Sequence, residues 1–156
     1  MKHMVMTGLL VAICTASMVW AEDTPSNMAS GAQEHMVTAR AALAAKDWRT
    51  AIAELNAVVK FEPRNADAHN LLGYSHRKQT QPDLAKAFEH YKRALQIDPR
   101  HKGAHEYIGE AYLMDKRLAE AEKHLAELAR ICGNQTCEEY ADLARAITAY
   151  KAKAPG

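Results

Sequence analysis

The segment from Gln33 to Arg130 repeats itself about every 34 residues, and this period restricts the possible folds more than any other feature. Small residues recur at Ala39, Gly73 and Gly109, at spacings of 34 and 36 residues. Alanines recur with a similar period at Ala51, Ala87 and Ala121. A period of this length is typical of stacked helical hairpins, because one hairpin cannot cover its own apolar face. The sequence therefore predicts an all-α solenoid of three stacked hairpins.

The two glycines of the repeat are predicted to lie where the paired helices of a hairpin cross. A side chain larger than a methyl group at Gly73 or Gly109 would push the helix axes beyond their usual separation of roughly 8–10 Å. Glycine costs about 1 kcal/mol relative to alanine inside a helix, so its recurrence at one place indicates a packing requirement. Pro63 and Pro99 are predicted to end the first two units, because proline cannot continue a helix.

The middle unit contains two extra residues relative to its neighbours. The distance from its small residue to its alanine is 14 residues, whereas the matching distance in the other two units is 12. The insertion is therefore predicted in the turn at residues 78–83, where it leaves the helix stack unchanged. Within this turn, Thr80 and Asp83 predict a capping box, with Pro82 in the first turn of the following helix.

The residues at the repeated places resemble the tetratricopeptide repeat. The middle unit carries Leu72, Gly73, His76, Ala87, Tyr91, Ala94 and Pro99. The third unit carries Ile108, Gly109, Glu110, Ala111, Tyr112, Ala121, Leu125 and Leu128. The first unit lacks the glycine but keeps Ala39, Ala42, Ala51, Leu55, Val58 and Pro63. The resemblance covers about two thirds of the chain and implies a right-handed α-solenoid, with repeats at about 32–65, 66–101 and 102–135 and a capping helix at 136–152.

Tetratricopeptide domains are in general binding scaffolds, and the first helix of each hairpin lines a concave groove. The resemblance implies these groove residues: Met36, Arg40, Leu43, Asn70, Tyr74, Arg77, Lys78, Glu106, Glu110, Leu113 and Met114. The groove is expected to be basic in the middle and acidic toward the third unit. The alternative is a solvated face that binds no ligand.

Within this groove, Tyr74 is expected to contribute most to binding, because aromatic residues with a polar tip dominate the energy of such surfaces. We expect Tyr74, Arg77 and Glu110 to contribute little to stability, because other residues supply the core. One subclass of the family grips a C-terminal carboxylate with a lysine, asparagine and arginine set. This chain has methionine, leucine and tyrosine at several matching places, so that activity is not implied.

The N-terminal segment indicates export. A basic start precedes an apolar run from Met4 to Trp20, and a small-residue cleavage pattern follows at Ala21. Residues 1–21 are therefore predicted as a signal peptide and residues 22–31 as a flexible linker, and the mature protein is expected to be periplasmic or secreted. The alternative is an uncleaved membrane anchor, because the run reaches the roughly 17 residues that can span a bilayer. After cleavage, no stable membrane span is expected.

Two cysteines lie beyond the leader, Cys132 and Cys137, and the pair is expected to form a disulfide in an exported protein. A redox-active pair and metal thiolates are the alternatives, but the spacing is not that of a CxxC motif and no second pair accompanies it. The following segment carries an apolar stripe at helical spacing: Tyr140, Leu143, Ala144, Ile147 and Tyr150. This helix is expected to cap the stack, and the disulfide would clamp it there.

The charge balance and the absence of catalytic motifs exclude several classes of function. Removing Lys2 with the leader leaves 19 of the 20 lysine and arginine residues against 19 acidic residues. This near neutrality argues against nucleic-acid binding and against binding to an anionic membrane surface. The sequence contains no phosphate loop, dinucleotide fingerprint, nucleophile elbow or zinc-protease motif. We therefore expect that the protein is not an enzyme and binds no cofactor.

Histidines recur at one place in the repeat. His35, His69 and His105 each lie four residues before the small residue of their unit, on successive first helices. The family usually has a large packing residue there, so the resemblance implies imidazole rings that fill a partly buried seam. A metal site is the alternative, but no cysteine or carboxylate is placed to complete its ligand set. His101 is expected before or at the start of its helix.

Three functions are compatible with these features. The first is an exported adaptor that binds a peptide segment or a partner protein in its groove. The second is a histidine-based accessory factor for metal or haem proteins. The third is a structural subunit that assembles through its end helices.

Overall fold

A computed structural model of the chain describes residues 25–133 and 135–153. Within these ranges lie seven α-helices and no β-strand. Their bounds are α1 (Pro25–Ala44), α2 (Trp48–Phe61), α3 (Ala66–Lys78), α4 (Leu84–Ile97), α5 (Lys102–Met114), α6 (Leu118–Cys132) and α7 (Glu138–Lys153). Consecutive helices pair as three hairpins, α1–α2, α3–α4 and α5–α6, and α7 follows the third hairpin. The predicted all-α solenoid of stacked hairpins is confirmed.

The first helix begins at Pro25, inside the segment predicted as a flexible linker. The prediction of a linker is therefore wrong for residues 25–31, which are helical. Proline is compatible with this start, because its missing N–H has no intrahelical partner to lose in the first turn. Met28 and Ala29 are good helix formers that favour continuation of the helix. The predicted signal peptide, residues 1–21, lies outside the described residues.

The turn of the middle hairpin differs from the predicted capping box. Helix α3 ends at Lys78 and α4 begins at Leu84, so the insertion lies in the turn as predicted. Asp83 is the N-cap, and its carboxylate accepts a hydrogen bond of 3.1 Å from the backbone N–H three residues further on. Thr80 and Pro82 both lie before the helix. Aspartate is a better N-cap than threonine, which explains why Asp83 takes this position.

The small residues of the repeat lie at close helix contacts. Ala39 is fully buried. A Cβ atom built on Gly73 would lie 2.6 Å from the ring of Tyr91 on α4, the partner helix of the same hairpin. A Cβ atom on Gly109 would instead lie 2.6 Å from the side chain of Leu143 on α7. Gly73 therefore lies at the predicted crossing point, whereas Gly109 makes room for the terminal helix.

Helix α7 packs against the third hairpin through its apolar stripe. Leu143 is fully buried, and Ile147 is 4% exposed in the same core cluster. Tyr140 and Tyr150 pack on this cluster and stay partly exposed. Because α7 contacts both α5 and α6, it continues the stack as half of a further unit. In residues 25–133 and 135–153, no helix combines the length and apolarity needed to cross a membrane.

The junction between α6 and α7 is short, and its two cysteines lie close together. Helix α6 ends at Cys132, and the next residue, Gly133, has a φ of 69° in the left-handed region that glycine adopts readily. The Sγ atoms of Cys132 and Cys137 lie 2.04 Å apart, at bonding distance. Cys137 directly precedes α7, so the cysteine pair lies between the end of the third hairpin and the start of the last helix.

Candidate functional site

Helices α1, α3, α5 and α7 together form one face of the solenoid. We call this face the groove. Its acidic pocket is lined by Arg40, Asp67, Asn70, Leu71, Gly103, Glu106, Tyr107, Glu138, Glu139 and Asp142. Its apolar pocket is lined by Arg77, Lys78, Glu110, Leu113, Met114, Ala146, Ala149, Tyr150 and Lys153. The acidic pocket lies toward the N-terminal ends of α3, α5 and α7, and the apolar pocket lies toward their C-terminal ends.

Most of the predicted groove residues line one of these two pockets: Arg40, Asn70, Arg77, Lys78, Glu106, Glu110, Leu113 and Met114. Met36 is a wrong prediction, because it is 8% exposed and packs in the core with Ala39 and Leu55. It lies three residues before Ala39 and therefore shares the buried face of α1. Leu43 is half-buried near the end of α1. Helix α7 lines both pockets, although the sequence predicted only a capping role for it.

The centre of the groove is built around Arg77, which is only 6% exposed. Its Nη2 lies 2.6 Å from Oε2 of Glu110, and its Nε donates a hydrogen bond of 3.2 Å to the hydroxyl of Tyr91. The guanidinium carbon lies 5.5 Å from the ring centroids of both Tyr74 and Tyr107. Arg77 therefore joins α3, α4 and α5 through charge, hydrogen bonding and aromatic contact.

The burial of Arg77 contradicts the expectation that it contributes little to stability. This guanidinium belongs to the packed structure, because removing it would leave a fully buried Tyr91 hydroxyl and a partly buried Glu110 carboxylate unpaired. Burial alone would lower the pKa of Arg77, but Tyr91 and Glu110 outweigh burial, and the pKa lies above its ordinary value. The expected basic centre of the groove is also wrong at this residue, since its charge is balanced by Glu110.

Tyr74 lies half-buried in a row of aromatic side chains. Its ring centroid is 4.9 Å from that of Tyr107 and 5.9 Å from that of Trp48, which meets it edge-on. The ammonium of Lys78 lies 5.8 Å from the same ring. Trp48 was not among the predicted groove residues, because it begins α2, the second helix of its hairpin, and the groove was predicted from first helices only. Tyr74 is thus fixed by packing before any partner binds.

The acidic pocket contains two unusual buried groups. Glu106 is 8% exposed, and burial, together with the nearby carboxylates of Glu110, Asp142 and Glu139, raises its pKa to about 8. Asn70 is 6% exposed, and its Oδ1 atom has no hydrogen-bond partner among the described residues. Most buried polar atoms in proteins are paired, so this orphaned acceptor marks an unusual place.

Comparison with known proteins identifies the family. Two models described as tetratricopeptide repeat match the chain, one over residues 36–102 and the other over residues 80–150. The chain is a tetratricopeptide repeat protein. A solved structure of the TPR2B domain of yeast Sti1, in complex with pHsp70, matches it with a TM-score of 0.72 and 15% identity, covering 80% of this chain and 99% of that chain. Among curated protein sequences, none matches this one.

The match to the yeast domain shows a shared fold, since the two sequences differ at most positions. Family membership supports a protein–protein interaction scaffold, and tetratricopeptide repeat proteins are generally non-catalytic. The groove formed by α1, α3, α5 and α7 is the candidate binding surface of this scaffold.

The tetratricopeptide repeat of this chain carries paired histidines. His69 and His105 are buried, as the predicted seam requires. The Nδ1 of His69 lies 3.3 Å from the Nδ1 of His90, and the Nδ1 of His105 lies 2.9 Å from that of His124. In the first unit, the Nδ1 of His35 lies 2.6 Å from a carboxylate oxygen of the second helix. These partners were not predicted from the sequence, although they recur with the repeat period.

The tautomer of each histidine pair follows from a backbone contact. The Nε2 of His69 lies 3.2 Å from the carbonyl oxygen of Pro63, and the Nε2 of His105 lies 3.1 Å from that of Pro99. Because a carbonyl only accepts, each Nε2 carries the proton and donates it. The Nδ1 of the same ring then accepts from the Nδ1–H of its partner histidine. Each pair is therefore a directed chain of two hydrogen bonds.

Protonation of the second-helix histidines is disfavoured. Burial and the neighbouring His69 and His76 lower the pKa of His90 to about 4. Burial and His105 likewise lower the pKa of His124 to about 4. Both rings are therefore neutral at pH 7, in agreement with their role as Nδ1–H donors.

Three possible metal-ligating residues come together at one place in the described part of the chain, namely Cys132, Cys137 and Glu139. The two sulfur atoms lie 2.04 Å apart, at bonding distance, and bonded sulfurs offer no thiolate to a metal. His101 caps α5 as expected, with its Nδ1 accepting from the backbone N–H of Ala104 at 3.2 Å. His101 therefore has a capping role in the fold.

Proposed function

We propose that this tetratricopeptide repeat protein is an exported, non-catalytic adaptor that binds an extended peptide segment of a partner protein in the groove. The observation that carries the proposal is the alignment of two pockets of different chemistry along the same three helices. The acidic pocket offers charge, and the apolar pocket offers side chains for packing. A peptide segment that enters both pockets would be recognised through two of its side chains. Separate pockets for different side chains give extended peptides their binding specificity.

The length of the bound segment follows from the helix geometry. Asp67 and Lys78 mark the two ends of the groove on α3 and lie 11 residues apart. At about 1.5 Å per residue this separation is about 16 Å. An extended chain rises about 3.3 Å per residue, so about five residues bridge the two pockets.

The apolar pocket has the composition of an interaction surface. Met114 is a large apolar side chain that is 46% exposed, and it lies beside Leu113 and Tyr150. The cationic residues Lys78 and Lys153 line the same pocket. An apolar centre with a polar rim is the usual anatomy of a protein interface. Methionine adapts its shape to different partners, which suits a peptide side chain.

Export is part of the proposal and rests on the N-terminal sequence. The basic start, the apolar run and the cleavage pattern at Ala21 support a signal peptide. Cys132 and Cys137 lie at bonding distance, and such a bond persists in the oxidising environment outside the cytoplasm.

Site-specific photocrosslinking tests the groove. A photoreactive amino acid at Met114 should crosslink a partner in cells, whereas the same amino acid at Ala126, exposed on α6, should not. The partner captured in this way should bind Met114→Asp at least tenfold more weakly, equivalent to about 1.4 kcal/mol. Because Met114 is exposed, the stability of the variant should change by less than about 0.5 kcal/mol. Crosslinking from Ala126 alone, or unchanged binding by Met114→Asp, would show that the groove is not the binding surface.

A further inference from the structure

We propose that the acidic pocket binds the cationic side chain of an arginine or lysine in the bound peptide. This inference rests on the proposed function and specifies the chemistry of its ligand. It predicts a basic partner, opposite in sign to the C-terminal carboxylate that the lysine, asparagine and arginine set of one subclass grips.

The first support is the unpaired amide oxygen of Asn70. This side chain is 6% exposed and lines the pocket, and its Oδ1 has no hydrogen-bond partner in residues 25–133 and 135–153. A buried acceptor without a donor destabilises a protein by about 1–3 kcal/mol. A Cβ atom on Gly103 would lie 3.1 Å from the Nδ2 of Asn70, so glycine leaves room for the amide. The Oδ1 of Asn70 therefore lacks a donor, and a ligand with an N–H or O–H group could supply one.

The second support is the sign of the surrounding charge. Among the described residues that line the pocket, five carry carboxyl groups and only Arg40 carries a positive charge. Glu106 is mostly protonated at pH 7, Asp67 contacts His101, and Asp142 pairs with Arg145, so Glu138 and Glu139 contribute most of the uncompensated negative charge. The carboxylates come from three helices: Asp67 on α3, Glu106 on α5, and Glu138, Glu139 and Asp142 on α7. An anionic ligand would be repelled from this pocket, whereas a cation would be attracted. Together with the orphaned acceptor, the charge selects a positively charged hydrogen-bond donor.

The third support distinguishes a side chain from a metal ion. Calcium needs several oxygen ligands that converge on one point. In the described residues, no three carboxylates of this pocket bring their oxygens within 4.8 Å of one another. Dispersed acceptors suit a ligand that spreads several N–H donors over a larger area. The guanidinium of arginine presents five donors in a rigid fork, so arginine should bind more tightly than lysine.

The pocket is also large enough for such a side chain. Its volume of about 300 Å³ equals the space of about ten water molecules. The pocket opens to solvent and is not enclosed, so a long side chain can enter while its backbone stays in the groove.

Entry of a cation should change the protonation of Glu106. Its raised pKa of about 8 means that it is mostly protonated at pH 7, and a cation favours the charged carboxylate. The charged groups that face it come from every neighbouring helix: Arg40 on α1, Asp67 and Arg77 on α3, Glu110 on α5, and Glu138, Glu139 and Asp142 on α7. Binding at pH 7 should therefore release protons.

The experiment compares four peptides of one length with the purified protein. Each has acetylated and amidated ends and alanines around a central arginine, lysine, citrulline or glutamate. Citrulline keeps the shape of arginine and removes its charge. Isothermal titration calorimetry and nitrogen–proton NMR spectra should show the arginine peptide binding at least tenfold more tightly than the citrulline peptide. The order of affinity should be arginine, lysine, citrulline and then glutamate. Calorimetry in buffers of different ionisation enthalpy should detect the proton release.

Three variants complete the test. Glu106→Gln copies the shape of the protonated residue, so it should fold normally and weaken arginine-peptide binding at least fivefold. Asp142→Asn removes a carboxylate from α7 and should weaken binding in the same direction. Glu127→Gln removes an equivalent charge on α6, outside the pocket, and should leave binding unchanged.

Several results would overturn the inference. Equal binding of the arginine and citrulline peptides would show that the pocket does not recognise the charge of the side chain. Tighter binding of the glutamate peptide would show the opposite chemistry, and calcium chloride that displaces the arginine peptide in a 1:1 ratio would indicate a metal site. If peptides perturb only NMR signals around Met114 without charge preference, this inference fails while the proposed function stands. If no peptide binds and Met114 crosslinks no partner, both fail.

Discussion

Replacing Arg77 with methionine should destabilise the protein strongly, although this residue lines a groove. Methionine fills a similar volume but carries no charge and no N–H donor. The change leaves the hydroxyl of Tyr91 without its donor in a fully buried place, and it leaves Glu110 without its cation. We expect the free energy of unfolding to fall by about 2–4 kcal/mol at pH 7.

The magnitude follows from the exposure of the two partners. An unpaired buried hydroxyl costs about 1–3 kcal/mol, and Tyr91 is fully buried. Breaking a fully buried ion pair costs about 3–5 kcal/mol, but Glu110 is 27% exposed and can regain water. Its contribution should therefore lie below that range. The contacts with the rings of Tyr74 and Tyr107 contribute roughly 0.5–2 kcal/mol each, and the methionine sulfur can replace part of this by contacting the same rings.

Urea unfolding of a double-mutant cycle measures these terms. The cycle combines Arg77→Met with Glu110→Gln, and the two changes should show a coupling energy of at least about 1 kcal/mol. Lys78→Met is the matched control, because Lys78 is adjacent and exposed, and it should change stability by less than about 0.5 kcal/mol. If Arg77→Met costs no more than Lys78→Met, then Arg77 is a surface residue and our account of the groove centre is wrong.

Three further predictions concern pH, metals and processing. His90 and His124 have pKa values of about 4 in the folded protein against 6.5 when unfolded, so the unfolded state binds more protons between these values. Stability should therefore fall by about 3 kcal/mol as pH falls from 6.5 to 5. Urea unfolding of Glu106→Gln should measure this fall, because the variant removes the opposite contribution of that glutamate; a flat profile would contradict this. Zinc, copper and nickel should bind no better than to an unrelated histidine-containing protein in calorimetry, and submicromolar binding lost in His69→Ala would favour the accessory-factor alternative. Intact-mass measurement of the exported protein should show a chain that begins near Glu22 and in which no thiol is alkylated until reduction. Two free thiols would refute the disulfide, and a retained leader would refute cleavage of the signal peptide.

The period of the sequence predicted the fold well because it reports what every hairpin must bury. Small residues at one place in each unit predicted close helix contacts, and Gly73 lies against Tyr91 as expected. Period alone does not report which element covers a face at the end of a stack. The sequence therefore did not predict that Gly109 contacts α7 or that the first helix extends back to Pro25.

The candidate site was predicted less completely, because its chemistry depends on pairs between different helices. A helical register places Arg77 on the inner face, but it does not show that Glu110 and Tyr91 take up its charge and its donor. The lining of the acidic pocket by α7 also depends on how the last helix packs. The histidine pairs had a detectable signal, since His90 and His124 lie 34 residues apart on successive second helices.

The acidic pocket is not contained in any single repeat. Arg40 comes from the first hairpin, Asn70 from the second, Glu106 from the third and Asp142 from the terminal helix. In a solenoid each repeat contacts only its neighbours, so small rotations between repeats accumulate along the coil. The width of the pocket therefore depends on how tightly the coil is wound. A ligand bound there would contact all three hairpins and the terminal helix, and would therefore resist unwinding of the solenoid. Mechanical tension that unwinds the solenoid should in turn lower the affinity of the pocket for that ligand.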